Sequence, residues 1–254
     1  LWSVPRDQVL DMPAAFFVRF FENHGMLTVD DRPEWRVVTG GSNRYVEALT
    51  APFRDRIRTS APVRRITRNA LAAQGSEGES GGRGVMVDGE AFDQVVLACH
   101  SDQALALLAD ATPTEKELLD ALPYQENDVV LHTDTSVLPR TRRAWGAWNY
   151  HVRGSDDAPA TVTYNMNVLQ TLETPRTYCV TLNATDAIDP SSIIYRTTYH
   201  HPVYTTAGFA AQERYAEIGG VNDTHFCGAY WGFGFHEDGA RSGVRVAEAF
   251  GVTL

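Results

Sequence analysis

Thr224-His-Phe-Cys-Gly-Ala-Tyr-Trp-Gly-Phe-Gly-Phe-His-Glu-Asp-Gly-Ala-Arg-Ser-Gly243, continuing as Val244-Arg-Val-Ala-Glu-Ala-Phe-Gly251, reads as a short apolar strand, a glycine-rich turn and a helix. The first turn of that helix is acidic and almost bare of side chains. Gly232 and Gly234 permit dihedrals and close approaches that a side chain forbids. Asp238 is placed to act as the N-cap, and the amides behind it carry the partial positive charge of a helix start. Gly239, Gly243 and Ala247 recur every four residues and leave one helix face without bulk. Such a backbone suits close contact with a large planar or anionic ligand. The same spacing suits a helix packed tightly on a sheet with no ligand, and this stretch alone leaves both readings open.

Working outward, Asp93-Gln-Val-Val-Leu-Ala-Cys99 is a short apolar run of the kind found in buried parallel strands, and Ser101 to Leu108 continues as a helix. Trp35 to Leu49 predicts a strand end, a Gly40-Gly41 turn and a helix capped by Ser42 or Asn43. Ile57 to Arg68 alternates as strands do, with a break at Pro62, and its arginines (Arg54, Arg56, Arg58, Arg64, Arg65, Arg68) read as a solvated face. Gln74 to Gly84 is a polar loop, and a return strand and turn follow it. The middle of the chain changes character. Asp128–Asp134, Ala144–Tyr150, Thr161–Gln170 and Thr177–Asn183 are rich in β-branched and aromatic residues separated by turn signals, which predicts an antiparallel sheet. Phe209 to Ile218 resumes a helix, and Pro13 to His24 is a helical segment with a heavy aromatic load.

The fold class expected is therefore α/β of mixed α+β character: a partial Rossmann-like dinucleotide-binding domain with an inserted antiparallel-sheet domain. Residues 1–35 are assigned to the helical part of the inserted domain and 36–108 to the nucleotide-binding domain. Residues 109–208 take the antiparallel sheet, and 209–254 return to the nucleotide-binding domain.

At 254 residues the chain can bury a sizeable core, and its 43% hydrophobic and 21% charged residues are ordinary for a globular protein. Acidic residues outnumber basic ones, 32 to 22, for a net charge of −10, which argues against nucleic acid or an anionic membrane as the main partner. No apolar run approaches the ~20 residues of a membrane span. Cys99, Cys179 and Cys227 are odd in number and widely spaced, so they read as buried free thiols in a reducing compartment, with the cytoplasm expected. His200, His201 and His236 lack further ligands at metal-binding spacing, and no metal is expected. The opening Leu1-Trp-Ser-Val-Pro has neither an initiator Met nor a signal-peptide pattern, and it reads as a start within a domain, hence a fragment.

Gly40-Gly-Ser-Asn-Arg-Tyr-Val-Glu-Ala-Leu49, Phe92-Asp-Gln-Val-Val-Leu-Ala-Cys-His-Ser-Asp-Gln-Ala-Leu105 and Phe226 to Ala240 together resemble the flavin-containing amine oxidoreductase superfamily. That superfamily includes monoamine and polyamine oxidases, protoporphyrinogen oxidase and phytoene desaturases. Leu131-His-Thr-Asp134, Trp145-Gly-Ala-Trp-Asn-Tyr150, Thr163 to Gln170 and Tyr199-His-His-Pro202 resemble a bacterial branch known as NAD/FAD-binding oxidoreductases. The resemblance covers nearly the whole chain. One departure stands out: the superfamily's Gly-x-Gly-x-x-Gly turn, which holds the FAD pyrophosphate, occurs nowhere in these residues.

The resemblance implies FAD as the cofactor of a full-length parent, and a chain lacking the pyrophosphate turn is expected to hold it poorly or not at all. It implies that Glu237, Asp238, Gly239 and Ala240 lie beside the flavin and its ribityl chain, that Val63 meets the adenine through its backbone, and that Ala98 lies near the nucleotide half. The aromatic middle sheet offers Trp148 and Tyr164 as substrate-lining residues, and Tyr230 and Trp231, just before the C-terminal glycine turn, are expected to form a wall beside the isoalloxazine. No residue is assigned as acid or base. The activity implied is hydride transfer from a carbon centre of an apolar small molecule to flavin. A lipid acyl chain is preferred to an amine, because members of the branch are encoded beside cyclopropane-fatty-acid-synthase-like genes. The alternative from another class is a flavin-free module that binds an apolar ligand or a partner.

Overall fold

A computed structural model describes residues 8–30, 34, 36–68, 84–152 and 160–253. Trp35 and the loop expected over 74–83 lie outside these residues, as does the opening pentapeptide. The first unit is built around a parallel pair of strands. β4 (Val95–Leu97) and β10 (Thr224–Phe226) pair in register Thr224 with Val95 and Phe226 with Leu97. Of β4, Leu97 is buried while Val96 is 43% exposed, so the apolar run is covered on one face rather than both. A three-stranded antiparallel meander flanks it: β1 (Ile66–Arg68), β2 (Val85–Val87) and β3 (Glu90–Phe92). The β2–β3 turn is Asp88-Gly89, both with positive φ (47° and 91°), the pairing that a two-residue hairpin turn requires. The Asp88 carboxylate accepts the amides of Arg64 and Arg65, tying the preceding extended chain to the meander.

Helices α3 (Ser101–Leu107), α4 (Pro113–Asp120) and α6 (Thr206–Glu213) close this unit, and one core unites Ile66, Val85, Leu97, Leu118, Leu119, Ile218 and Phe226. α4 starts with a reciprocal cap: the Glu115 amide donates to Thr112 Oγ1 at 3.1 Å, and the Thr112 amide donates to the Glu115 carboxylate at 2.7 Å. Its Pro113 needs no donor at the first helical position.

The second unit is a five-stranded antiparallel sheet with strand order β6-β7-β8-β5-β9. Its strands are β5 (Tyr124–His132), β6 (Trp148–His151), β7 (Thr161–Asn165), β8 (Cys179–Leu182) and β9 (Ile193–Pro202). β7 stops at Asn165, whose side chain accepts the Val168 amide and starts the single-turn helix α5 (Met166–Leu169). Between the units lies α1 (Ala14–Asn23). Its Phe16 and Phe20 are buried with Tyr204 in a second, aromatic core, the Phe16 and Tyr204 rings stacking at 4.6 Å. Among the described residues, no helix is long and apolar enough to cross a membrane.

Five local expectations need correction. Asp238 is not the N-cap of the last helix: α7 spans His236–Ala249, and Asp238 sits in its first turn, with its carboxylate accepting the Phe235 amide at 3.0 Å. Arg68 is not on a solvated face; it is buried between Asp110 and Glu115. Within Ile57–Arg68 only Ile66–Arg68 is strand, and residues 36–39 are not strand, because among the described residues neither 57–65 nor 36–39 has a neighbour to complete a ladder. The helix expected over Phe209–Ile218 begins at Thr206, capped by Thr205, and gives way after Glu213 to a short 3-10 turn. Of the three cysteines expected to be buried, only Cys179 is fully so; Cys99 and Cys227 are partly exposed.

Candidate cofactor and substrate site

The carboxyl end of the parallel pair is where open α/β sheets form ligand crevices. β10 leaves it through Cys227, whose amide donates to the Leu97 carbonyl at 3.0 Å, so Ala98 lies beside Cys227 and Gly228. Ala98 is exposed there. The chain then makes a 3-10 turn at Ala229–Trp231 and reaches α7 through Gly232-Phe-Gly-Phe235. Gln212 of α6 holds this turn, its Nε2 donating to the carbonyls of Tyr230 at 2.7 Å and Gly232 at 2.8 Å. Ser242 ties the helix back: the Gly228 amide donates to its Oγ, which donates to the Gly239 carbonyl, both at 2.8 Å.

Two glycines of the connection are dictated by geometry. Gly234 has φ of +90°, and a Cβ there would lie 2.7 Å from the Tyr204 hydroxyl oxygen. At Gly232 the space that a Cβ needs is filled by the Asp238 carboxylate. With that carboxylate turned back onto Gly232 and the Phe235 amide, and no side-chain oxygen at position 235, the first amides of α7 have no side-chain cap among the described residues. Glu237 and Ala240 are exposed beside them, and Gly239 is half-buried with its nearest neighbour, Ala229, 3.9 Å from where a Cβ would stand. Uncapped amides at a helix start form a donor set for an electron-rich carbonyl or an anion. The flavin N1–C2=O edge is such a group, so these residues fit it. Val63 stands on a different element, the extended run before β1, and is 41% exposed.

Tyr230 and Trp231 are buried in the first core, Trp231 edge-on to Tyr215 at 5.0 Å. The Tyr230 hydroxyl and the Trp231 indole N–H are buried, and neither makes a hydrogen bond among the described residues. Burial raises the Tyr230 pKa well above the ordinary tyrosine range.

Trp148 and Tyr164 are direct cross-strand partners of β6 and β7. Register carries their row through Val180 and Leu131 to Tyr195, one apolar and aromatic line across a single sheet face. Trp148 also lines a cavity of about 410 Å³ with His24, Met26, Ala147, Val168 and Leu169. His24, just past the end of α1, contacts the Phe235 ring (centroids 5.7 Å apart), and Phe20 stacks on the same ring at 5.4 Å. Tyr45 of α2 (Asn43–Thr50) reaches the next residue, its hydroxyl 3.2 Å from His236 Nδ1. Thus α1 joins the apolar cavity at Trp148 to the start of α7. Sequence reasoning named both ends of this arrangement and missed His24, Met26 and Phe235. The aromatic load of α1 was the available signal.

The opposite face of the sheet is polar. His132 Nε2 is 2.7 Å from Thr181 Oγ1, which is 2.9 Å from Thr163 Oγ1, and all three residues are buried. The Asp134 amide donates to His132 Nδ1, so the ring proton resides on Nε2 and donates to Thr181. Burial pushes the His132 pKa below its ordinary value.

The model of the flavin containing amine oxidoreductase family matches residues 10–179, two thirds of the chain. Three solved structures illustrate the likeness. A CLA-producing fatty acid isomerase from P. acnes superposes with a TM-score of 0.56 at 17% identity, over 84% of this chain and 52% of that one. Cyclohexylamine oxidase from Brevibacterium oxydans gives 0.58 at 13% identity, over 94% of this chain and 60% of that one. A putrescine oxidase variant gives 0.52 at 13% identity, over 83% of this chain and 52% of that one. At these identities the likeness is one of fold, and the chain spans little more than half the length of these neighbours. No curated protein matches the chain.

Proposed function

We propose, for a chain that belongs to the flavin containing amine oxidoreductase family, that it supplies the flavin-facing and substrate-facing parts of an FAD-dependent oxidoreductase site. The observation that carries this reading is the contact between Phe235, at the start of α7, and His24, which lines the apolar cavity at Trp148. In it, the amides of Glu237 and Asp238 would hold the flavin at an electron-rich edge, and Gly239 and Ala240 would leave room beside it. When bound, FAD supplies the acceptor for a hydride from a substrate carbon. The chain would orient that carbon through Trp148 and Tyr164 and exclude water with Met26, Val168 and Leu169, and the N-terminal end of the α7 dipole would favour negative charge beside it. Ala98 and Val63 are assigned to the nucleotide half.

An apolar acyl chain suits the cavity better than an amine. Its described lining residues include no carboxylate to pair with an ammonium, and Met26, Val168, Leu169 and Ala147 favour hydrocarbon. A second reading, a flavin-free module, is favoured by one observation: no Gly-x-Gly-x-x-Gly turn occurs in the 254 residues.

The visible spectrum of the purified protein separates the two. Flavin absorbance, present or gained on adding FAD, supports the first; a colourless protein that takes up none refutes it for this chain. Within a flavin-loaded protein, Gly239→Leu should abolish flavin retention while Gly239→Ala, whose Cβ has its nearest neighbour at 3.9 Å, keeps it. Equal flavin content in both variants would mean that the cofactor lies elsewhere.

A further inference from the structure

A second cavity, of about 290 Å³, opens between α1, α6 and α7, and its lining combines Arg19, Arg241 and Arg245 with Phe16, Phe209 and Trp231. Acidic residues outnumber basic ones in this chain, 32 to 22, so a guanidinium has carboxylates to choose from. Yet Arg19 rests over the Phe209 ring at 5.9 Å and Arg245 over the Tyr215 ring at 4.1 Å, and neither forms an ion pair among the described residues. Arg241 reaches only Glu237, at 3.4 Å and with both side chains well exposed, a pair of little energetic weight. Stacking on a ring occupies the face of a guanidinium and leaves its N–H edge open to an acceptor.

Two carboxylates share the lining, Glu213 and Asp238. Asp238 is already engaged by the Phe235 amide, and Glu213 is exposed to water. Within the lining, three guanidiniums face two carboxylates, and with Glu237 beside Arg241 it is Arg19 and Arg245 whose N–H edges are left for an anion. The aromatic part of the lining offers nothing to a bare inorganic ion but suits a hydrocarbon body. We infer that this cavity binds an organic monocarboxylate, the carboxylate held by the forks of Arg19 and Arg245 and the apolar body lying against Phe16 and Phe209. Trp231 and Asp238 border it as well as the flavin region, but the inference rests on the arginines and not on the flavin reading.

Calorimetric titration of the purified chain with octanoate, octan-1-ol and inorganic phosphate tests it. Octanoate should bind at a single site, at least about tenfold more tightly than octanol or phosphate, because a charge-assisted fork is worth over one kcal/mol beyond apolar contact. Arg19→Gln with Arg245→Gln should weaken octanoate about tenfold or more and leave octanol unchanged. Arg245→Lys alone, which keeps the charge but not the fork, should fall between. Octanol binding as tightly as octanoate would overturn the carboxylate assignment, and phosphate binding as tightly would reduce the site to a bare anion sink. Unchanged octanoate affinity in the folded double Gln variant would remove the arginines from it. Flavin content of the same variants, read from visible absorbance, should not move, which keeps this result separable from the flavin reading.

Discussion

Glu115→Ala probes the most deeply buried charge of the first unit. Glu115 is fully buried and Arg68 is 5% exposed. The Arg68 fork donates to both Glu115 oxygens at 2.5 and 2.8 Å, and its Nε donates to Asp110 at 2.8 Å. Removing one partner of a buried pair costs about 3–5 kcal/mol, because the other charge is left in a poor solvent. Here Asp110, partly exposed, stays on Arg68 and softens the loss toward about 3 kcal/mol. The same substitution removes the acceptor of the Thr112 amide at the α4 start, worth about 1 kcal/mol more. The expected loss is therefore about 4 kcal/mol, roughly 10 °C in Tm for a chain of this size. Urea unfolding at pH 7 measures it. A loss below about 1 kcal/mol would refute the reasoning, since it would mean that water reaches Arg68 in the native state. Replacing both partners, Arg68→Met with Glu115→Leu, should cost less than Glu115→Ala alone. Burial pushes the Glu115 pKa up, but the bonds from Arg68 and the Thr112 amide outweigh it and hold the carboxyl below its ordinary value of 4.5. Its contribution is thus fully present above that value and is lost as pH falls through the lower, folded one.

Gly234→Ala should destabilise by about 1–3 kcal/mol, because φ is +90° and the new Cβ meets the Tyr204 hydroxyl oxygen at 2.7 Å; an unchanged Tm would mean that the turn relaxes freely. His132 should be neutral in the native protein at pH 7 with its proton on Nε2, and nitrogen-15 spectra of the ring read this directly; a dominant imidazolium signal at pH 7 rejects it. Since its folded pKa lies below the unfolded 6.5, His132 contributes stability above pH 6.5 that declines as pH falls. Burial pushes the Cys179 thiol up to about 11, so in native protein at pH 8 iodoacetamide should label it last of the three cysteines, and mass spectrometry showing it labelled first would contradict its burial.

Much of the first unit was legible because its signals are local. The apolar run at Val95–Leu97, the Asp88-Gly89 turn, the Gly40-Gly41 turn and the glycine-rich approach to α7 are each dictated by neighbours in sequence. The antiparallel sheet was legible for the same reason in four of its five strands. β9 was not: as the edge strand of that sheet it is exposed along most of its length, and Ile193–Pro202 therefore lacks the apolar alternation that marks a half-buried strand. Asp238 was placed at the wrong end of its turn because a carboxylate can cap from within the first turn as well as before it, and only the position of the Phe235 amide distinguishes the two.

By itself the sequence determined most of the element types, the glycine-rich approach to α7 and the family resemblance, since each depends on residue chemistry read within a few positions. Only the tertiary structure decided that Arg68 is buried, that Trp148 and Tyr164 share a face, that His24 meets both Phe235 and the Trp148 cavity, and that three arginines from two helices line one pocket. Those facts depend on pairing between distant segments, and packing free energy rather than local preference selects among such pairings.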